Sequence, residues 1–192
     1  MALKLITGPT VEPVTLEEAK THLRVDITDD DNLITALIKT AREYCENFQN
    51  KAYYTQTWEL VLDKFPAENY IKIPKPPLQS VTSVIYKDNE GTETTLDASK
   101  YIADTDSEPG RIVLAYGESW PSFTPYPVGA VRIRFTTGHD DISKVPQMVK
   151  QAMLLLIGHW YENREASVTG AISREVEFAV HALLWPERVV PV

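Results

Sequence analysis

The sequence predicts an α+β fold: a helical unit of about four helices with a small antiparallel β module inserted into it. Three observations carry this reading. Apolar residues recur at three-and-four spacing near both ends of the chain, at spacing two from about Thr55 to Thr137, and the middle is punctuated by Pro, Gly and Asp turns. The implied boundaries are 1–54 for an N-terminal helical part, 55–140 for the inserted β module, and 141–192 for a C-terminal helical part packing with the first. A chain of 192 residues suffices for one structural domain carrying such an insertion.

After an extended start containing Pro9 and Pro13, Thr15, Leu16, Glu17 and Glu18 form a capping-box pattern. It predicts a short helix over about Leu16 to Leu23. Asp29, Asp30 and Asp31 then precede a stripe of Leu33, Ile34, Leu37, Ile38, Ala41, Tyr44, Cys45 and Phe48, the mark of a long amphipathic helix with carboxylates at its positive end. A calcium loop starting at Asp26 fails, because its twelfth position is Leu37 and the central glycine is missing.

Strands follow at Thr57 to Leu62, Tyr70 to Ile73, Val81 to Lys87, Thr92 to Leu96, Arg111 to Leu114 and Ala130 to Thr136. Asp88 to Gly91 reads as a hairpin turn. Val131, Ile133 and Phe135 alternate with Arg132 and Arg134, so one face of that strand is core and the other wet. Pro-rich loops interrupt the module at 74–77 and 120–127, long enough to reach a neighbour.

Helix returns after Ser143, a candidate cap, with Pro146 near the first turn. Val149, Ala152, Met153, Leu156 and Trp160 form one stripe, widened by Leu154, Leu155 and Ile157, so this helix is central or covered by a neighbouring subunit. Asn163 to Ser173 reads as a loop. A last helix, about Arg174 to Leu184, is stopped by Pro186.

The chemistry-bearing patterns are few. The net charge of −8 argues against wrapping nucleic acid, which needs a basic stripe. Arg132 and Arg134 alone read as the wet face of a strand. The single cysteine, Cys45, excludes an internal disulfide and fits synthesis in a reducing cytoplasm. The N-terminal apolar stretch meets Thr7 and Gly8 too early for a signal peptide, and no apolar run approaches the roughly 18 residues of a membrane span. Nucleotide, nucleophile-elbow and zinc-protease motifs are missing. His159 and Glu162, with His181 or Glu177, form the only metal-type grouping and lack a closed ligand set. The acidic stretch Asp104 to Glu108 reads as a solvated turn. No catalytic residue, metal or cofactor is expected. Trp185 and the apolar tail from Pro186 to Val192 lie too near the end to be well covered, which suits docking on a partner.

Several segments, in order over nearly the whole chain, are similar to the head-tail connector (neck adaptor, head completion) proteins of tailed bacteriophages. They are VTLEEAKTHLRVD (14–26), AREY (41–44), TQTWEL (55–60), PPLQSVTSV (76–84), PGRI (109–112), VRIRFTTG (131–138), VPQMVKQA (145–152) and HWYENREA (159–166). The resemblance implies a virion protein, made in the bacterial host, whose copies form a ring of about twelve beneath the portal of a filled capsid. Such a ring extends the DNA channel, lets the genome pass without sequence-specific binding, and presents a surface to a tail or neck-completion protein. Its implied partners are the portal and neighbouring copies, with no membrane. The resemblance assigns no side chain to those contacts. Composition and position select Arg164, Arg174, Trp185, Pro186, Arg188, Val189 and Val190 as candidates for the portal or subunit interface, the arginines through ion pairs. A different structural role in the particle, such as tail completion, and a small metal-dependent hydrolase using His159 and Glu162 are the competing readings.

Overall fold

A computed structural model describes residues 1–163 and 174–190, with the backbone alone at 174 and 175. The described chain is α+β and divides into two contact-defined units, one of residues 1–10 and 55–140, the other of 11–54 and 141–192.

The helical unit holds α1 (Leu16–Leu23), α2 (Asp31–Gln49), α3 (Gln147–Glu162) and α4 (Arg174–Leu184). The capping box forms as the sequence predicts. Thr15 Oγ1 accepts from Glu18 N at 3.1 Å, and Glu18 accepts from Thr15 N at 2.7 Å, a bond that holds its carboxyl below the usual range. At α3 the cap differs from expectation. Ser143 lies in a 3₁₀ turn, Ile142–Lys144, itself capped by Asp141, and Pro146 is the N-cap of the helix. A proline lacking N–H suits this boundary, where backbone donors have no helical acceptor. Helix α3 is central to the unit and packs against α1, α2 and α4. Its Val149, Ala152, Met153, Leu156 and Ile157 are buried, joining Ile34, Ile38, Ala41 and Cys45 of α2 and Val180 and Leu184 of α4 in one core. Burial, with Glu46 beside it, pushes the Cys45 thiol up to about 12, so it is a packed, protonated group.

Inside this apolar packing runs a polar chain. Arg42 is 7% exposed; its Nε donates to Glu12 at 2.8 Å and its Nη1 to Glu46 at 2.6 Å. Desolvation alone would lower the Arg42 pKa, but Glu46 and Glu12 outweigh it and the net shift is upward. The other oxygen of Glu46 accepts from Tyr53 N at 2.9 Å, Tyr53 Oη donates to Gln49 Oε1 at 2.7 Å, and Gln49 Nε2 donates to the Leu184 carbonyl at 2.7 Å.

The other unit holds two antiparallel sheets, where the sequence suggested one. The larger has strand order β1 (Ala2–Thr7), β2 (Gln56–Leu62), β8 (Val131–Thr137), β4 (Leu78–Lys87), β5 (Glu93–Thr95). The smaller has order β3 (Tyr70–Lys72), β7 (Arg111–Leu114), β6 (Tyr101–Asp104). The first residues, grouped by sequence with the helical part, form an edge strand, with Leu3 paired to Leu60 and packed on the sheet core. Central β8 alternates as predicted. Val131, Ile133 and Phe135 are fully buried, while Arg134 pairs with Glu59 at 3.1 Å and Arg132 with Glu93 at 3.7 Å. In the β4–β5 turn Gly91 takes φ 93°, and Asp88 Oδ1 accepts from Glu90 N and Thr92 N. The loop at 120–127 packs in part on its own unit. Trp120 stacks on Phe65 with centroids 4.9 Å apart, Phe123 meets Tyr86, and Tyr126 N donates to the Lys87 carbonyl.

Gly110, just ahead of β7, lies close against Leu78 at the start of β4. A Cβ there would lie 2.5 Å from Leu78 Cβ and 3.2 Å from the Asp104 carbonyl. Gly110→Ala is therefore expected to destabilise by about 1–3 kcal/mol, the usual cost of overpacking; an unchanged urea midpoint would show that the strands yield freely. In the helical unit, Glu46→Gln leaves Arg42 without its best partner. A loss of about 1.5–3 kcal/mol is expected for a hydrogen bond to a charged group, read from the same denaturation curve.

Candidate interface site

The helical unit presents an aromatic surface built from α2, α3, α4 and the segment after α4. Helix α2 sends Ala41 and Cys45 into the core and Arg42, Glu46 and Gln49 into the polar chain, with Phe48 partly buried against that core and Tyr44 exposed beside it. Trp160 of α3 meets the Tyr44 ring edge-on at 6.3 Å. From α4, His181 stacks on Phe48 at 4.5 Å with 18° between planes, and its Nε2 lies 3.1 Å from Tyr44 Oη. Burial, then Glu177 and Cys45, raise the Tyr44 pKa, which keeps its hydroxyl protonated as a hydrogen-bonding group.

The chain after α4 is fixed to the end of α2. Trp185–Glu187 form a 3₁₀ turn; Val189 N donates to the Gln49 carbonyl at 2.9 Å, and Asn50 Nδ2 donates to the Val189 carbonyl at 2.8 Å. Asn50 caps α2 in the left-handed region, φ 56°, a conformation asparagine tolerates better than most residues. Lys51 pairs with Glu187 at 3.6 Å. The tether leaves Trp185 63%, Phe178 76% and Val190 69% exposed.

Of the residues selected from sequence, Trp185, Pro186, Arg188, Val189 and Val190 come together here. Pro186 is exposed in the turn, and the Arg188 guanidinium carbon lies 5.0 Å from the Phe48 ring centroid and 5.3 Å from that of Trp185. Arg164 falls outside the described residues. Arg174 opens α4, but its side chain is likewise undescribed. Tyr44, Phe48, Phe178 and His181 complete the surface without having been selected. Tyr44 and Phe48 sit in a stripe that reads as core, and only the exposed Trp185 in the continuing chain signals that the stripe runs out to solvent.

Several members of the metal-type patterns meet protein groups. His181 faces Phe48 and Tyr44, and His159 Nδ1 lies 3.4 Å from Asn163 Nδ2. Asp31 takes Lys20 at 2.6 Å and Asp30 takes Tyr161 Oη at 2.5 Å. Asp104 is held down to about 2 by Ser107 and Arg111, within a turn of its own backbone. Among the described residues no group of three or more His, Cys, Asp or Glu side chains is placed to hold a metal ion, and no helix is long and apolar enough to cross a membrane.

A family model described as head completion protein matches residues 12–181. The chain belongs to that family. None of the curated proteins compared matches it. Among solved structures it is similar, at 27% identity and TM-score 0.81, to a chain from the neck of an empty gene transfer agent (GTA) particle computed with C6 symmetry. It is similar at 25% identity to a chain from the virion of the native GTA particle, TM-score 0.80, and to one from the native GTA neck computed with C12 symmetry, TM-score 0.79. Each likeness covers 100% of this chain and 97% of the other. In this head completion protein the family match ends at His181, the residue stacked on Phe48, so Trp185 and Arg188 lie beyond it.

If Asn50 tethers the chain end, Asn50→Gly, which keeps the left-handed cap, should speed exchange of the Val189 amide roughly two- to tenfold, the equivalent of about 0.5–1.5 kcal/mol for one neutral hydrogen bond. Site-resolved hydrogen exchange measures it, and a wild-type rate would remove the tether from the account.

Proposed function

We propose that this head completion protein is a structural, non-catalytic component of a phage-type neck. Copies of it form a ring beneath the portal, of about twelve subunits where it follows the portal's symmetry. The ring extends the DNA channel and links the filled head to the next neck or tail protein. The observation that carries the proposal is the full-length likeness, at TM-score 0.81 and 27% identity, to a chain that stands in the neck of an assembled particle. Neck chains computed with C6 and C12 symmetry support repetition around an axis.

The chemistry of the chain agrees with that role. The net charge of −8 and the pairing of Arg132 and Arg134 with glutamates leave β8 without a free basic stripe for phosphate. DNA can then pass such a wall without sticking. The aromatic surface around Trp185, with Pro186, Arg188, Val189 and Val190, is the face we assign to the portal. It has the composition of an interface core, rich in Trp, Tyr, Phe and Arg.

The test mixes the purified chain with its cognate portal ring and images the particles by electron microscopy. A collar with the portal's symmetry is expected, and a chain lacking 186–192 should add it poorly while keeping the wild-type circular dichroism spectrum. No collar from two folded components would transfer the role to the tail side. A full collar from the truncated chain would move the docking face elsewhere.

A further inference from the structure

Several cations of this chain are matched by its own carboxylates: Lys20 by Asp31, Arg42 by Glu12 and Glu46, Lys100 by Glu118, Arg111 by Asp104, Arg132 by Glu93, Arg134 by Glu59. Arg188 is arranged differently. It is exposed on an acidic chain, forms no ion pair with any described residue, and lies over two rings, 5.0 Å from the Phe48 centroid and 5.3 Å from that of Trp185. Its sequence neighbour Glu187 turns to Lys51 instead. The backbone beneath it is pinned on both sides, since Arg188 N donates to the Trp185 carbonyl at 3.1 Å and Val189 N to the Gln49 carbonyl at 2.9 Å.

We infer that Arg188, set on the Phe48 and Trp185 rings, is a receptor for a carboxylate on an apolar segment of the portal. The inference rests on the docking face assigned above and names the chemistry of what that face takes. A guanidinium over aromatic faces engages through its flat side and keeps its N–H edge free, and that edge matches the two oxygens of a carboxylate. The rings and the pinned backbone restrict the long side chain before any partner arrives, which lowers the ordering cost of binding. Trp185 beneath the charge and Val190 close to it in the chain supply exposed apolar surface, and Phe178 is exposed on α4. A partner that covers them removes water and strengthens the ion pair. An aspartate or glutamate flanked by apolar side chains satisfies both features; a DNA phosphate would satisfy the arginine and leave the aromatic surface uncovered.

The experiment measures affinity for the purified portal ring by biolayer interferometry, for wild type, Arg188→Gln and Arg188→Lys, over a salt series. Near-ultraviolet circular dichroism confirms that each variant is folded. Arg188→Gln should bind about tenfold or more weakly, with a flatter salt dependence. Arg188→Lys should also lose affinity, because an ammonium lacks the fork. Wild-type affinity in both variants, with a wild-type collar still forming, would overturn the receptor and leave the docking face standing. Failure of the wild type itself to bind the ring would overturn the docking reading, and the receptor with it. Two further outcomes would overturn the inference: a variant that loses only retention of duplex DNA, or one that changes only self-association of the chain.

Discussion

The helical unit depends on how a buried guanidinium is satisfied. Arg42 lies on α2 amid apolar packing, and a charge there is tolerated only when its donors are matched. Glu12, ahead of α1, meets one side of it and Glu46, one turn along, meets another. The same glutamate fixes the Tyr53 amide just beyond the helix end, and Tyr53 orients Gln49, whose amide group holds the Leu184 carbonyl. Segments far apart in sequence are thus joined through Arg42, Glu46 and Gln49, at helical spacing along one edge of α2, and through Tyr53 beyond its end. Apolar contacts supply most of the stabilisation; this chain supplies the register, because a shift by one residue would strand buried polar groups.

That register places the aromatic surface. With one face of α2 committed to the core and a second to the polar chain, Phe48 falls at the margin of the core and Tyr44 outside it. Leu184, held by Gln49, ends α4 where His181 can stack on Phe48 and where the following turn lies against the end of α2. The left-handed Asn50 then serves twice, ending the helix and binding the Val189 carbonyl. Trp185 is thus exposed on a turn whose backbone is held against the end of α2.

What was legible in the sequence is what local physics determines. The Thr15 and Glu18 capping box, the Asp88 to Gly91 turn, the alternation of β8 and the broad apolar surface of α3 each follow from neighbours within a few residues. Tyr101 to Asp104 escaped because it is a short strand ending in a turn-forming aspartate, and its identity comes from pairing with Arg111 to Leu114. Strand β4 begins at Leu78, earlier than its β-branched run suggests, since pairing with Thr137 extends it. The second sheet and the edge pairing of the first residues are likewise products of distant partners. At the site, Trp185 and Arg188 were visible as an apolar, basic chain end. Phe48 was not, because a helical stripe does not reveal which of its members a fourth element will cover. Arg42 and Glu46 lie outside the apolar stripe of α2, and Glu12 and Tyr53, brought in from elsewhere, make that side an interior.

A wall for moving DNA and a face for holding a protein make opposite demands on cations. The first, in the proposed role, requires positive charges to be neutralised locally, so that no row of them meets phosphate; Arg134 pairs with Glu59 of adjacent β2 and Arg132 with Glu93 of β5. The second requires a few charges to remain available, oriented in advance and set beside apolar surface so that a partner pays little to reach them. In the described chain Arg188 has that arrangement, held by rings where the strand arginines are held by carboxylates. In the proposed ring, an acidic protein that kept every arginine paired would pass DNA equally well but would have less with which to choose its neighbour.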